Sequence, residues 1–336
     1  MSDTKPEDAK HGRDVTEQDV KHVFIVNPAA GQKSRAVEVA DTAARLMQKR
    51  GEPHVVHVTE HSGHATELLR DMAAKGDPLR IYVYGGDGTL NEAATALVNA
   101  PHCALAHCPS GTGNDFVRTA AAPECRSLFS DIESLVDGQV VPMDAIIADD
   151  RVAMNSLTCG LDSWVAYYAN HYKTWPLVGR KFSYDIALLK SFFYKIKNAF
   201  ELIVDDGEHI PMRDYLFVAL MNGRFYGNGY QPAPRAVLDD GMLDLVMVDS
   251  VNRRTILKLL KPYRLGTAED VSDAIHSRRV RSVEIVGREP FMLGLDGQIY
   301  NVGSVRCKVA PGALRIIIPQ AQQGFPAPRR PMEGSL

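Results

Sequence analysis

The sequence predicts an α/β chain of two domains: a doubly wound parallel-sheet domain, then a mainly antiparallel β-sandwich domain that carries a helical insertion. Three observations predict it. Up to about residue 143, short apolar runs alternate with longer stretches of helical periodicity, the grammar of a parallel sheet. From about residue 140 the pattern changes to short runs with period-two alternation separated by turn residues, as in an antiparallel sandwich or open barrel. In the first half, three glycine-bearing loops each follow an apolar run that reads as a strand. That places all three at the carboxyl ends of one sheet, where open parallel sheets bind ligands.

Taken in order, residues 1–20 are rich in Lys, Asp and Glu, lack aromatic residues and read as a disordered tail. The first domain, 21–143, opens with a strand at 23–26 that ends in Asn27-Pro28-Ala29-Ala30-Gly31. A helix follows over 34–50, a strand over 54–58, a helix over 65–74 and a third strand over 79–84. A helix over 90–100 and a strand over 104–107 lead to Gly111-Thr112-Gly113-Asn114-Asp115. The second domain, 144–319, has strand patterns at 200–204, 243–248, 283–286 and 305–309, with Asp206-Gly207 as a hairpin turn. Its insertion, 163–198, puts Phe182, Ile186, Leu189 and Phe193 on one helical face among Arg180, Lys181, Lys190, Lys195 and Lys197. That is either a core-packing helix with a solvated face or a basic surface for lipid head groups. Residues 320–336, with Gln, Gly, Pro and Arg, read as a second disordered tail.

Composition narrows the function. With 45% apolar and 24% charged residues, the 336-residue chain has an ordinary globular make-up. A net charge of −3 gives no support to a general nucleic-acid binder, so an anionic ligand must be met locally. Five cysteines without framework spacing argue for reduced thiols and a cytoplasmic setting. No apolar run approaches the ~18 residues of a membrane span, and the first twenty residues have no signal-peptide core. If the substrate is a lipid, the chain is expected to visit the membrane peripherally.

The most informative stretch is Gly85-Gly86-Asp87-Gly88-Thr89-Leu90-Asn91-Glu92, where a strand must turn abruptly into a helix. Three glycines let the backbone approach a ligand closely, and free amides at a helix start favour a phosphate. Thr89 and Glu92 have the spacing of a capping box. Asp87 would repel a phosphate unless a cation or a sugar hydroxyl stood between them, so the implied ligand is a nucleotide with a metal. His54, His57, His61 and His64 run from strand through loop to helix start and lack the companions of a tetrahedral zinc set. Among several Asp-Gly pairs, Asp239-Asp240-Gly241 could hold a hard cation, and Asp296-Gly297 sits between apolar strands where a carboxylate could act as a base.

Together these motifs resemble the catalytic-domain family of diacylglycerol kinases, whose relatives include sphingosine and ceramide kinases and bacterial soluble lipid kinases. Asn222-Gly223, Tyr226-Gly227-Asn228-Gly229 and Pro234 add to the match, which runs from about residue 22 to 319. The resemblance implies ATP, Mg2+ and transfer of the γ-phosphoryl group to a lipid hydroxyl, most simply that of diacylglycerol. It implies a nucleotide site lined by Asn27, Pro28, Ala29, Ala30, Gly31, Thr59, Gly86, Asp87, Gly88, Thr89, Leu90, Asn91, Glu92 and Thr112. It further implies a carboxylate network of Asp87, Asp115 and Asp144 around the catalytic Mg2+. A structural Mg2+ site would use Asp240 with the carbonyls of Val237 and Met242, and Asp296 would be the general base. Two positions depart from the family pattern. Gln298 stands where Glu is usual after Asp-Gly, and Gln32 stands where a basic residue often follows the first loop. A non-catalytic relative and a kinase for a soluble metabolite such as NAD are the competing readings.

Overall fold

The computed structural model describes residues 20–30, 33–111, 113–172, 190 and 197–328. The first half alternates as the pattern predicts: β1 (Lys21–Val26), α1 (Lys33–Arg50), β2 (His54–Val58), α2 (His64–Ala73), β3 (Leu79–Gly85), α3 (Asp87–Leu97) and β4 (Cys103–Pro109). Two short helices follow, α4 (Asp115–Ala120) and α5 (Ile132–Val136). β1 pairs in parallel with both β2 and β3, and β3 with β4, giving the order β2-β1-β3-β4. The chain therefore reverses its direction across the sheet between β1 and β3, which is where such sheets bind ligands. Burial of Val23, Phe24, Ile25, Ile81, Tyr82 and Leu105 against Met47, Leu69 and Leu90 forms the first core.

The second half holds β5 (Gln139–Ala148), β6 (Arg151–Ala153), β7 (Ser156–Gly160), α6 (Leu161–Tyr172), β8 (Asn198–Val204) and β9 (Glu208–Met221). It continues with β10 (Leu243–Asp249), α7 (Arg253–Leu265), β11 (Ile275–Val280), β12 (Ser282–Leu295) and β13 (Gln298–Ile318). The long strands β9 and β12 each pair with β7 along one half and with β8 along the other. The sheet thereby folds over on a second core that includes Leu202, Tyr215, Leu220, Leu245, Ile285 and Leu293. All five cysteines are buried and free.

The two halves are not separated by a linker. β5 and β13 run antiparallel as one ribbon through both domains, and the far end of β13 lies beside β4 with Ile316 opposite Leu105. A boundary at 143/144 therefore falls inside β5, and residues 314–318 complete the first sheet. The C-terminal segment also departs from expectation. In place of a disordered tail from 320, Gln322 is buried, donates to the Ala120 carbonyl and accepts from the Ala122 amide. Its polar side chain satisfies backbone groups that the end of α4 leaves open. Residues 1–19 and 329–336 lie outside the described residues, as does most of the predicted insertion, including Phe182, Ile186, Leu189 and Phe193.

One helix, α7, is absent from the predicted elements although its sequence carries both end signals. The Asn252 side chain accepts from the Thr255 amide, and Gly266 ends the helix at φ 73°.

Candidate active site

The glycine loops meet at the carboxyl ends of β1, β3 and β4. Asn27, just after β1, donates through Nδ2 to the Thr89 hydroxyl at 2.7 Å, while its Oδ1 accepts from the Ala29 amide at 2.9 Å. One side chain thus shapes its own turn and ties it to the first turn of α3. Thr59 is buried at the end of β2, its amide bonded to the Val26 carbonyl. A Cβ on Gly85 would stand 2.7 Å from the Thr89 Cβ, and one on Gly111 would stand 2.8 Å from the Gly86 Cα. Only glycine lets these loops touch backbone to backbone. Gly86 and Gly88 are left open to solvent at the start of α3, where amides lack intrahelical acceptors. Gly31 and Thr112 lie outside the described residues.

Several predicted roles need correction. Helix α3 starts at Asp87 with Gly86 as its cap, and no side chain caps it, so Thr89 and Glu92 do not form a capping box. The cause is the abrupt exit from β3: the Gly86 carbonyl already accepts from the Thr89 and Leu90 amides, placing Thr89 inside the first turn. Leu90 packs into the first core and cannot offer its side chain to a nucleotide. Asn91 is buried, and its amide donates to the Val152 carbonyl at 3.0 Å and to Asp296 Oδ2 at 2.9 Å. Glu92 accepts from the Ser62 hydroxyl, and its carbonyl accepts from Thr66.

The three carboxylates read as one network divide into two places. Asp87 accepts from the amides of Asp115 and Phe116, capping α4. Asp115 accepts from the Asn228 and Gly229 amides at 2.9 Å each and lies 3.5 Å from Arg118. Burial, and then the neighbouring Asp87 charge, push the Asp115 pKa up to about 6. A cation beside this pair would relieve both effects, and the buried Asn114 Oδ1 nearby has no hydrogen-bond partner. Asp87 and Asp115 therefore fit a divalent ion.

Asp144 does not join them through any contact among the described residues. Its Oδ2 accepts from the Gly241 amide at 2.6 Å and its Oδ1 from Gly312 at 2.8 Å, next to the register shift in the β5–β13 ribbon. Its pKa is raised by burial, against the pull of those two amides. The Asp240 site does not fit a structural Mg2+. Asp240 is paired with Arg279 and accepts from the Met242 amide, so a guanidinium already neutralises the carboxylate. Nor do any three His, Cys, Asp or Glu side chains among the described residues form a metal cluster, the four N-terminal histidines included.

Asp296 occupies the tight turn between β12 and β13, with Asp296 at φ 45° and Gly297 at φ 88°, the type of turn Asp-Gly favours. Its carboxylate accepts from the amides of Met154 at 2.6 Å, Asn155 at 3.1 Å and Ser156 at 2.8 Å, besides Asn91. Burial lifts its pKa to about 6 against those four donors. A carboxylate poised there is ionised at neutral pH yet basic enough to take a proton. Gln298 supports the arrangement: its Nε2 donates to Asn91 Oδ1 at 3.3 Å and its Oε1 accepts from the Tyr300 hydroxyl at 2.7 Å. Asn155 belongs to the site without any sequence motif to mark it. Its side chain reaches the Phe225 carbonyl and touches Gly223, where a Cβ would collide with it.

Comparison with known proteins shows the family. Residues 21–148 match the diacylglycerol kinase catalytic domain, and residues 155–318 match the YegS C-terminal NAD kinase beta sandwich-like domain. A protein named "Probable lipid kinase YegS-like" from Pseudomonas fluorescens is 29% identical over 79% of this chain and 85% of its own. One named "Diacylglycerol kinase" from Mycobacterium tuberculosis is 27% identical over 89% of this chain and 96% of its own. In fold, the chain resembles the crystal structure of "a putative diacylglycerol kinase from Bacillus anthracis str. Sterne", with a TM-score of 0.72, 24% identity, and 93% and 99% of the two chains covered. Among the described residues no helix is long and apolar enough to cross a membrane. Carrying the diacylglycerol kinase catalytic domain over residues 21–148 and the YegS C-terminal domain over 155–318, the chain belongs to the diacylglycerol kinase catalytic-domain family.

Proposed function

We propose that the chain is an ATP- and Mg2+-dependent kinase that transfers the γ-phosphoryl group to the hydroxyl of a diacylglycerol-type lipid. The observation that carries this reading is the Asn91–Asp296 hydrogen bond, which fixes a carboxylate with a raised pKa to the helix whose first turn offers amides to phosphate. Binding falls to Asn27, Thr59 and the backbone of Gly86 to Thr89. Asp87 and Asp115 would hold a divalent ion, which when bound neutralises charge on the transferring phosphate. Asp296 takes the proton of the acceptor hydroxyl as its oxygen bonds to the γ-phosphorus. The bond from that phosphorus to the bridging oxygen breaks, and ADP leaves with the electron pair. Because the acceptor lies in a bilayer, the protein works at the membrane surface.

The test is incubation with labelled ATP, Mg2+ and mixed micelles of diacylglycerol, other lipid alcohols or a membrane lipid extract. Labelled phosphatidic acid from the native chain and none from Asp296→Asn is expected. Product from another lipid alone would overturn the acceptor, and no Asp296-dependent lipid product would overturn the reading.

A further inference from the structure

Between the two domains lies a cavity of about 550 Å3 that the chemistry above does not use, lined in part by the Arg118 that contacts Asp115. Its walls carry four guanidinium groups, Arg118 and Arg126 from the first domain and Arg224 and Arg235 from the second, against the carboxylates of Glu269 and Asp270. The whole chain carries a net charge of −3, so this excess of positive charge is local. Arg118 is shared with Asp115 and the Gly113 carbonyl, and Arg235 is paired with Glu269 at 2.9 Å. Arg224 is only 7% exposed and donates to the carbonyls of Thr119 and Pro326. Arg126 is exposed and has no ion pair among the described residues. Arg126 and Arg235, at a cavity whose charge Arg224 augments while its terminal nitrogens hold backbone carbonyls, give planar donors suited to phosphate oxygens.

What lies at the cavity edge narrows the source of that phosphate. Leu265, which lines it, ends α7 and is 60% exposed, and Leu257 on the same helix is 59% exposed. Between and around them stand Arg253, Arg254, Lys258, Lys261 and Arg264. Exposed leucines among basic residues suit the boundary of an anionic lipid surface.

We propose that this cavity is a phosphate-binding site, separate from the phosphoryl-transfer loops, that takes the phosphate of an anionic lipid headgroup or free phosphate. Its occupant bridges the two domains. Through Arg118 it also touches the group that holds Asp115.

The experiment compares the full chain with Arg126→Glu, Arg235→Ala and the charge-matched control Arg288→Glu, an exposed arginine on β12 away from the cavity. Inorganic phosphate binding is followed by calorimetry, and vesicle binding by co-sedimentation with phosphatidylcholine alone or mixed with phosphatidylglycerol. Thermal melting in buffer verifies that each variant is folded. Loss of one charge-assisted contact is expected to weaken binding about tenfold in both cavity variants and not in the control. A loss in the inorganic phosphate arm identifies free phosphate, and a loss confined to phosphatidylglycerol vesicles identifies the headgroup. Equal binding by native and both cavity variants in both arms overturns the proposal.

Discussion

Asn91 Nδ2 and Asp296 Oδ2 are 2.9 Å apart although 205 positions separate them in the chain. The contact joins α3, the helix that follows the second glycine loop, to a turn of the second domain. Replacing Asn91 with Leu removes it and leaves the Val152 carbonyl without its donor. Such a loss costs about 1–3 kcal/mol of stability in a buried site. The expected outcome is a lower urea midpoint together with a fall of at least about tenfold in kcat, since Asp296 loses its tie to the phosphate site. Measuring both separates the two effects: unchanged kcat in the folded fraction would remove Asn91 from the positioning of the base.

With Asp296 as the proposed base, its raised pKa is expected to set the acid limb of the rate profile. Its pKa is about 6 in the folded protein against an ordinary 3.8. Transfer should rise with pH through about 6 as the carboxylate ionises, with this limb absent in Asp296→Asn. Stability runs the other way. Between those two values the folded chain holds a proton that the unfolded chain releases, so this group's contribution is full below pH 3.8 and is lost as pH rises through about 6. A rate that is flat between pH 5 and 7 with chemistry rate-limiting would show that another group takes the proton.

The parts of this site legible in the sequence are those dictated by local backbone geometry. Gly85 and Gly111 are glycines because a Cβ at either would strike a neighbour, and Asp296-Gly297 marks a turn because both residues adopt positive φ. The α/β alternation was readable for the same reason, since each strand and helix carries its own period. Illegible were contacts between residues far apart in sequence. Nothing around Asn91 signals that its amide serves Asp296, and nothing around Asp240 signals Arg279, 39 positions on. The family resemblance groups Asp144 with Asp87 and Asp115, but pattern does not show that the Gly241 and Gly312 amides will face it. The start of α3 was misplaced by three residues because a capping-box spacing occurs there by composition, while the helix is nucleated on Gly86.

Gln298 fits its surroundings better than the glutamate usual in the family. Its Nε2 donates to Asn91 Oδ1, and a carboxylate at that position would set acceptor against acceptor and add a negative charge near Asp296. Gln298→Glu is therefore expected to lower transfer at neutral pH and to move the acid limb upward, because a like charge disfavours ionisation of Asp296. Comparing the pH profiles of the two proteins checks this. A gain in turnover on Gln298→Glu would mean that the glutamine disables the native site.

The ion pair between Asp240 and Arg279 predicts how the protein responds to chelation. A guanidinium already neutralises Asp240, so in an Asp87→Asn background, which removes the other candidate cation site, EDTA should leave the melting temperature unchanged. Arg279→Met removes that neutralisation. Asp239 and Asp240 stand next to each other, and burial raises the pKa of both Asp239 and Asp144, with the Asp240 charge adding to it. The variant should consequently melt lower at neutral pH, with the pair being partly exposed limiting the loss to about 1 kcal/mol. In the same background added Mg2+ should recover part of the loss caused by Arg279→Met and should not stabilise the protein that keeps Arg279, because only the variant leaves Asp240 without its guanidinium. A melting temperature that still falls on chelation in the Asp87→Asn background, equally with Arg279 kept and with Arg279→Met, would show that a cation and not the guanidinium neutralises Asp240.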